Sequence, residues 1–494
     1  MFSMLYFPVV SALATPSPFP NDGVAERFLD AVCEGKLHAA SQLTSRWFDE
    51  ADHAGMTERT LYGLQLHADL QLILNVEVEA EENYRRSQTM IRSSKRAIRT
   101  ASCRNAAWQA LYRHRLGTAL ACFSRVIDEP EIEPARAAEA HFGIVCTMHE
   151  LGRARDAANA LKELAQRVER CLDDENGLWR DLIETLRFDL AAQMEIRCAS
   201  ALGNHVYWQS DLSSDRAPLI LHDAGDAIET MREPLSAVRA PLLRARIKYL
   251  RQLRLATCAD RDAIGGLHQH LNWANDQGLG GYQRTLRLEI ALATLAGQAP
   301  HHAHEMLEPL HQLSRNGSTG HRQIEYLYCT AKMRQSQGRV QESLQLYSRY
   351  ALVAMQCLRE ASQLRTPLLS HATAPALQLD DVGARLPARY RRAYSYLLDN
   401  LERRDLSVRE VAAEIGVTER ALQSAFKRFL GLSPTELIRR QRMERIRAEL
   451  TDSSWMNERG VLDVASKWGV QNRSALANGY RKQFQETPSE TRKR

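Results

Sequence analysis

What the sequence lacks narrows its class before any motif is considered. No uninterrupted apolar run approaches the roughly 20 residues that a membrane-spanning helix needs, which argues against a membrane partner. The nine cysteines contain no CxxC pair, which argues against a disulfide framework and a zinc ribbon. No GxxxxGK[ST] loop is present, which argues against a nucleotide-driven regulator. The same cysteine usage indicates a reducing cytoplasm. Strand signals are scarce in the first 365 residues, which indicates an all-α fold. No enzyme site stands out, so we expect a protein that is not an enzyme and has no catalytic residues, metal or cofactor.

Length and composition indicate a folded globular chain with more than one domain. Its 494 residues are 44 % hydrophobic and 25 % charged, and a domain usually takes about 100–200 residues. The apolar segment from Met1 to Ala14 lacks a basic leading region, and Pro8 interrupts it. We therefore predict that this segment packs on the core and is not an export signal.

Charge is distributed unevenly along the chain. From Arg385 to Arg494 there are 23 basic and 14 acidic residues, a net charge of +9, whereas the preceding residues carry −4. A basic C-terminal module on a mildly acidic body is typical of a nucleic-acid-binding domain attached to another function.

The first 365 residues show a recurring helical pattern. A small or apolar residue is followed twelve positions later by a small residue and sixteen positions later by an aromatic residue or leucine. Small residues let two helices approach closely, and the larger residue packs on the next pair. The pattern occurs four times, at Ala107/Ala119/Phe123, Val145/Ala157/Leu161, Ala291/Ala303/Leu307 and Ala331/Ser343/Tyr347.

This pattern resembles tetratricopeptide repeats, which form arrays of helical hairpins. Such arrays bind peptides, oligomerise or sense partners, so a regulatory protein or a homodimer partner is expected on residues 1–365. Prolines at Pro367 and Pro375 indicate a linker over 366–386.

The segment from Val408 to Phe429 predicts a helix-turn-helix. Gly416 allows the tight turn, and Thr418 caps the second helix. In this motif the second helix enters the DNA major groove. The first helix is expected to bury Val408, Val411, Ala412 and Ile415, and Leu422, Phe426 and Phe429 are expected to seat the second helix on it.

A second copy of the same pattern begins at Val461. Val464, Ala465, Gly469 and Val470 repeat the first-copy positions with an offset of 53 residues, whereas Leu476 and Tyr480 repeat Leu422 and Phe426 with an offset of 54. Between the copies, Ser433 and Pro434 start an arginine-rich helix from Thr435 to Leu450. A stiff connecting helix of this kind would hold two recognition helices about one DNA turn apart, roughly 34 Å.

Residues 387–494 resemble the DNA-binding domain of the AraC/XylS family of bacterial transcription regulators. The resemblance depends on Val-Ala-x-x-x-Gly-Val, Leu-x-x-x-Phe-Lys and Gly-Leu-Ser-Pro, the arginine-rich helix, the second turn and the closing Thr487-Pro488-Ser489. The sequence from Pro387 predicts seven short helices, and the resemblance implies that they bind double-stranded promoter DNA. The resemblance also implies base contacts by Arg420, Gln423, Ser424, Arg473, Ser474, Ala477 and Asn478, and we assign phosphate contacts to Arg428, Arg481 and Lys482.

The second copy departs from the family pattern at three places. Gly479 lies inside its recognition helix, at a cost of about 1 kcal/mol relative to alanine. Gln485-Glu486 replaces the usual glycine, and Ala477 cannot hydrogen-bond a base. We therefore expect the first recognition helix to dominate sequence reading.

A long helical region before such a domain resembles the hrp-type activators of type III secretion genes, a virulence function. That resemblance implies an activator that recruits RNA polymerase and takes a protein as its input. Two alternatives stay open from the sequence: a one-component sensor of a small ligand that controls a metabolic operon, and a helical protein-interaction scaffold. Polar recognition helices containing Arg420, Gln423 and Arg473 argue against the scaffold.

Overall fold

The computed structural model describes the chain except residues 16–22, 92–94, 173, 175, 213–237, 261, 316–319, 363, 365–385, 452–460, 485 and 494. Within these described residues the fold consists of α-helices joined by turns, with one short 3-10 helix and no strand. The all-α prediction is therefore confirmed. None of the described helices is both long enough and apolar enough to cross a membrane.

Seventeen of the described helices precede the predicted linker. They are α1 (Ser3–Ala14), α2 (Val24–Cys33), α3 (Leu37–His53), α4 (Thr57–Ile73), α5 (Glu77–Met90), α6 (Lys95–Tyr112), α7 (Leu116–Ile127), α8 (Pro134–Glu150), α9 (Ala154–Cys171), α10 (Leu178–Arg197), α11 (Val206–Leu212), α12 (Pro241–Thr257), α13 (Ala263–Asp276), α14 (Gly280–Ala296), α15 (Pro300–Arg315), α16 (His321–Ser336) and α17 (Val340–Ser362).

Seven described helices follow the predicted linker, the number that the sequence predicts. They are α18 (Ala388–Asp399), α19 (Val408–Glu414), α20 (Glu419–Leu430), α21 (Pro434–Thr451), α22 (Val461–Lys467), α23 (Arg473–Phe484) and α24 (Pro488–Lys493). The predicted linker itself, 366–386, lies outside the described residues apart from Leu386.

The chain divides into two compact units. The first consists of Met1–Met90 and Ala107–Leu364, and the second of Ile91–Ala106 and Arg365–Arg494. The second unit therefore contains a segment that the sequence places among the N-terminal helical hairpins.

Consecutive helices of the first unit pack as hairpins because short turns with a left-handed residue reverse the chain. Gly152, with φ of 73°, separates α8 from α9, and Gly338, with φ of 75°, separates α16 from α17. Glycine tolerates this conformation because it has no Cβ. The small residues Ala157, Ala291 and Ala303 are buried at their hairpin contacts. Assignment of these hairpins to tetratricopeptide repeats stays a prediction.

Helix α1 lies in the core of the first unit. Its residues are apolar on every side, and a helix of that composition is buried in a core. Leu5, Phe7 and Val10 are each no more than 1 % exposed. The hydroxyl of Tyr6 donates a 2.7 Å hydrogen bond to Asp189 Oδ2 on α10. The apolar start of the chain thus packs on the core, as its composition predicts.

A buried ionic network ties α10, α12 and α14 together. The guanidinium of Arg246 donates to both carboxylate oxygens of Asp189, at 2.8 and 2.9 Å, and to both oxygens of Glu289, at 2.9 Å. Arg246 and Asp189 have no exposed side-chain surface. Both carboxylates are charge-paired and bound by a planar fork of donors, the geometry in which a buried ion pair is stable.

We predict that Arg246→Met lowers the free energy of unfolding by about 3–5 kcal/mol, because it leaves two buried carboxylates without a cation. Urea unfolding followed by circular dichroism measures the change. Arg254→Met is the matched control, since its ion pair with Glu195 leaves both side chains at least 30 % exposed. An exposed pair contributes about 1 kcal/mol or less. Equal losses in the two variants would contradict the assigned role of the network.

Candidate nucleic-acid interface

The first helix-turn-helix is built by local capping on both sides of its turn. Ser407 Oγ accepts a 3.2 Å hydrogen bond from the Glu410 N–H and starts α19. Thr418 Oγ1 accepts a 3.2 Å hydrogen bond from the Ala421 N–H and starts α20. Gly416, with φ of 63°, stands between the two helices. These caps satisfy N–H groups that a helix start leaves unpaired.

The apolar side of this motif is buried in one cluster. Val411, Ala412, Leu422 and Phe426 are each no more than 2 % exposed. Val408, at the start of α19, is only partly buried against the same cluster.

The opposite side of α20 is open to solvent. Arg420, Gln423 and Ser424 are exposed there. Gln423 Nε2 donates to Glu419 Oε1 within the helix at 3.1 Å. Arg428 is exposed nearer the helix end, with its guanidinium carbon 5.5 Å from the ring centroid of Phe429. The predicted base-reading residues of the first motif therefore share one accessible helix surface.

The second motif reproduces the same turn. In the first, the N–H of Val417 donates to the Ala412 carbonyl at 3.0 Å; in the second, the N–H of Val470 donates to the Ala465 carbonyl at 2.9 Å. Gly469 has a φ of 71°, close to that of Gly416. The repeat seen in the sequence is thus a repeat of backbone geometry.

The second recognition helix, α23, exposes three of its four predicted base contacts. Asn472 caps it, with Oδ1 accepting from the Ser474 N–H at 2.9 Å. Ala477 is partly buried. The exposed members of the predicted set are Arg473, Ser474, Asn478 and Arg481. The side chain of Lys482 and the residue Gln485 lie outside the described residues.

Helix α21 begins with a capping box. Ser433 Oγ accepts from the Glu436 N–H at 3.2 Å, and Glu436 Oε2 accepts from the Ser433 N–H at 3.3 Å. That backbone hydrogen bond holds the pKa of the Glu436 carboxyl below its usual value. The predicted arginine-rich helix therefore starts at the predicted cap, Ser433, and spans 18 residues.

Both motifs pack on this one helix. Leu437 and Ile438, in its first half, belong to the apolar cluster of the first motif. Met443, Ile446 and Leu450, in its second half, form a separate cluster with Leu476 and Tyr480 of the second motif. The order of residues along α21 therefore fixes where each recognition helix sits.

Arg442, in the middle of α21, connects the turn before α19 to the second motif through backbone carbonyls. Its guanidinium donates to the carbonyls of Leu401 at 3.0 Å, Arg403 at 2.5 Å and Gly469 at 3.4 Å. A Cβ at Gly469 would lie 2.9 Å from Arg442 Nη2, so a larger residue there would have to displace the guanidinium. The sequence pattern places Arg442 among the arginines of the arginine-rich helix and does not reveal this role. The glycine at the second turn was the one signal for it.

Sequence reasoning also missed the segment Ile91–Ala106. Ser102 Oγ donates a 2.8 Å hydrogen bond to the Phe429 carbonyl at the end of α20. A Cβ at Gly431, which has a φ of 68°, would lie 2.7 Å from the Lys95 carbonyl oxygen. The end of the first recognition helix is thus covered by residues more than 300 positions earlier in the chain, a distance that no local pattern reveals.

Two helix-turn-helix motifs with polar, solvent-open second helices define a helix-turn-helix DNA-binding protein. The family model described as a helix-turn-helix domain matches residues 411–494. Over 105 residues the chain is 33 % identical to the probable thc operon regulatory protein of Rhodococcus erythropolis, covering 21 % of this chain and 31 % of that protein. Over 102 residues it is 31 % identical to the XylDLEGF operon transcriptional activator of Pseudomonas putida, with the same coverages.

One similarity extends over the whole chain. It is 36 % identical over 499 aligned positions to Regulatory protein HrpB of Ralstonia nicotianae, covering 99 % of each chain. The chain belongs to this family of regulatory proteins, and it is a transcription regulator that binds double-stranded DNA through an AraC/XylS-type domain. No solved structure matches the chain.

Gly479, within the second recognition helix, and Gly431, directly after the first, predict opposite outcomes on substitution by alanine. Gly479 lies within α23, and an added Cβ would meet Met443 Sδ at 3.4 Å, an ordinary contact. We predict that Gly479→Ala stabilises the C-terminal unit by about 1 kcal/mol through helix propensity. Gly431→Ala is the control, and it should destabilise because of its positive φ and the Lys95 carbonyl. Thermal unfolding of the full chain measures both, and a loss of stability in Gly479→Ala would refute the argument.

Proposed function

We propose that this protein activates transcription of a type III secretion regulon by binding adjacent major-groove segments with its two motifs. The observation that carries the proposal is the mounting of two motifs with the same turn on the single helix α21. The full-length similarity to Regulatory protein HrpB supports it. So does the resemblance of the chain's architecture to hrp-type activators of type III secretion genes.

The proposed base contacts come from exposed polar side chains of α20 and α23. Arg420 and Arg473 have guanidinium groups that can bind guanine with two hydrogen bonds, and Gln423 and Asn478 have amides that can do so with adenine. Ser424 and Ser474 bond either base type. Ala477 contributes at most an apolar contact with a thymine methyl group. The first motif then carries most of the sequence preference.

The proposed phosphate contacts are Arg428, Arg481 and Lys482. They follow the base-reading positions along the recognition helices, where the DNA backbone passes. The net charge of +9 over residues 385–494 supports binding that weakens steeply as salt rises, because each phosphate contact releases counterions.

We further propose the division of labour that the sequence predicts. Residues 387–494 bind the promoter, and residues 366–386 connect them to the rest of the chain. Residues 1–365 form the regulatory region, which binds a regulatory protein or a second copy of the chain. Activation requires contact with RNA polymerase in the cytoplasm, and no enzymatic step is involved.

Genome-wide binding of the tagged full chain tests the proposal. The full chain is used because Ile91–Ala106 belongs to the same compact unit as the DNA-binding helices. We expect peaks that share a two-part motif upstream of secretion genes. Enrichment at a metabolic operon alone would favour the sensor of a metabolite, and no enrichment would favour the scaffold.

Arg420→Ala and Arg428→Ala form a matched pair for the assigned contacts. Arg420→Ala should weaken specific binding by about 1–3 kcal/mol and relax specificity at one base position. Arg428→Ala should weaken binding to all sequences equally. It should also reduce by about one the slope of the logarithm of the binding constant against the logarithm of the salt concentration. Fluorescence anisotropy on specific and random duplexes at several salt concentrations measures both. Equal losses on both duplexes for Arg420→Ala would make it a phosphate contact.

A further inference from the structure

The first unit contains a cavity of about 80 Å³ where α8, α10, α14 and α16 meet. A site needs about 10–15 Å³ by this measure to hold one water molecule. The cavity therefore has room for a small organic molecule. All of its lining residues belong to the first unit.

Buried charges next to the cavity are paired. Arg197 Nε donates to Glu325 Oε1 at 3.1 Å, and Trp208 Nε1 donates to the same oxygen at 2.7 Å. Glu289 is held by Arg246 in the ionic network of the core. This is the usual arrangement, because a buried charge without a partner is costly.

Arg284, on the cavity wall, is an exception. Its side chain is buried, with 8 % exposed, and its Nη2 donates to the Arg322 carbonyl at 3.1 Å. Among the described residues, no carboxylate forms an ion pair with its guanidinium. Burial, followed by the neighbouring Arg322 charge, lowers the pKa of Arg284 to about 10. The guanidinium is therefore still charged at pH 7, without an anion.

Two imidazoles on the same wall also lack partners. His114 Nδ1 and His321 Nε2 are shut off from solvent, and neither has a hydrogen-bond partner in the described part of the chain. Burial lowers the pKa of both rings. Each ring is then neutral at pH 7, with one N–H to donate. A buried polar atom without a partner calls for an explanation, and a bound molecule that supplies the partner is one.

Acidic groups do not neutralise this wall. Glu325 and Glu289 are already paired with arginines. Glu150, the remaining carboxylate of the cavity, acts on the Met1 amino group, whose pKa it raises against the larger lowering by burial. Arg284 and Arg322 thus leave the cavity with excess positive charge. The other walls include the apolar side chains of Phe2, Leu288 and Ile324.

We propose that this cavity binds a small monocarboxylate with a short apolar body, whose oxygens accept hydrogen bonds from Arg284, His114 and His321. The apolar body packs on Phe2, Leu288 and Ile324. A regulatory role for this ligand in transcription rests on the proposed function. Its binding to the cavity does not depend on DNA.

Thermal unfolding and titration calorimetry of the full chain, without DNA, test the site. Acetate, butyrate and hexanoate are the probes, with hexan-1-ol as the uncharged analogue and inorganic phosphate as the alternative oxyanion, all at one ionic strength. We expect the melting temperature to rise with butyrate and hexanoate, because a ligand of the folded state stabilises it. Hexan-1-ol should have no effect. A response to phosphate alone, or to none of the carboxylates, would overturn the proposal.

Arg284→Met separates a ligand-binding arginine from a structural one. It removes an unpaired buried cation, so the unliganded melting temperature should stay equal or rise, while the affinity for hexanoate falls at least tenfold. Arg287→Met, on the same helix but outside the cavity, should leave the affinity unchanged. His321→Ala should also weaken hexanoate binding, which keeps the test decisive if Arg284→Met does not fold. A lower melting temperature in Arg284→Met with unchanged hexanoate binding would assign Arg284 a purely structural role.

Discussion

Helix α21 is the element on which the arrangement of the DNA-binding unit depends. Its first half supplies Leu437 and Ile438 to one apolar cluster, and its second half supplies Met443 and Ile446 to the other. A helix of 18 residues is about 27 Å long and cannot stretch. Arg442 adds hydrogen bonds from the middle of this helix to backbone carbonyls on both sides. The spacing of the two recognition helices is therefore set by packing along one rigid element.

The first unit uses a different principle, in which ionic groups inside the core specify how helices meet. Arg246 holds carboxylates from two other helices in a site with almost no exposed surface. The observed arrangement of α10, α12 and α14 satisfies this network, and the loss of a partner would leave a buried charge. In the cavity of the same unit one buried cation is not paired: Arg284 donates to the Arg322 carbonyl and has no carboxylate partner of the kind that Arg246 has.

The sequence predicted the C-terminal helices well because their signals are local. Glycine turns, side-chain caps and apolar spacing lie within twenty or so residues of one another, as at Gly416 and Thr418. The exposed positions of α20 follow from the same spacing. The roles of Arg442, Ser102 and Arg284 could not be predicted in this way. Their partners lie on other helices, far away in sequence, and an arginine that binds carbonyls has the same local pattern as one that binds DNA.

Binding to duplexes with altered spacing between the two half-sites tests most directly whether α21 fixes the two recognition helices. The full chain is titrated against its natural site and against sites lengthened by 5 or 10 base pairs between the halves. Because α21 cannot extend, we expect both insertions to reduce affinity to that of a single half-site, at least tenfold. Recovery of binding with 10 inserted base pairs, which restores the same face of the duplex about 34 Å farther along, would show that the two motifs move independently and would contradict this account.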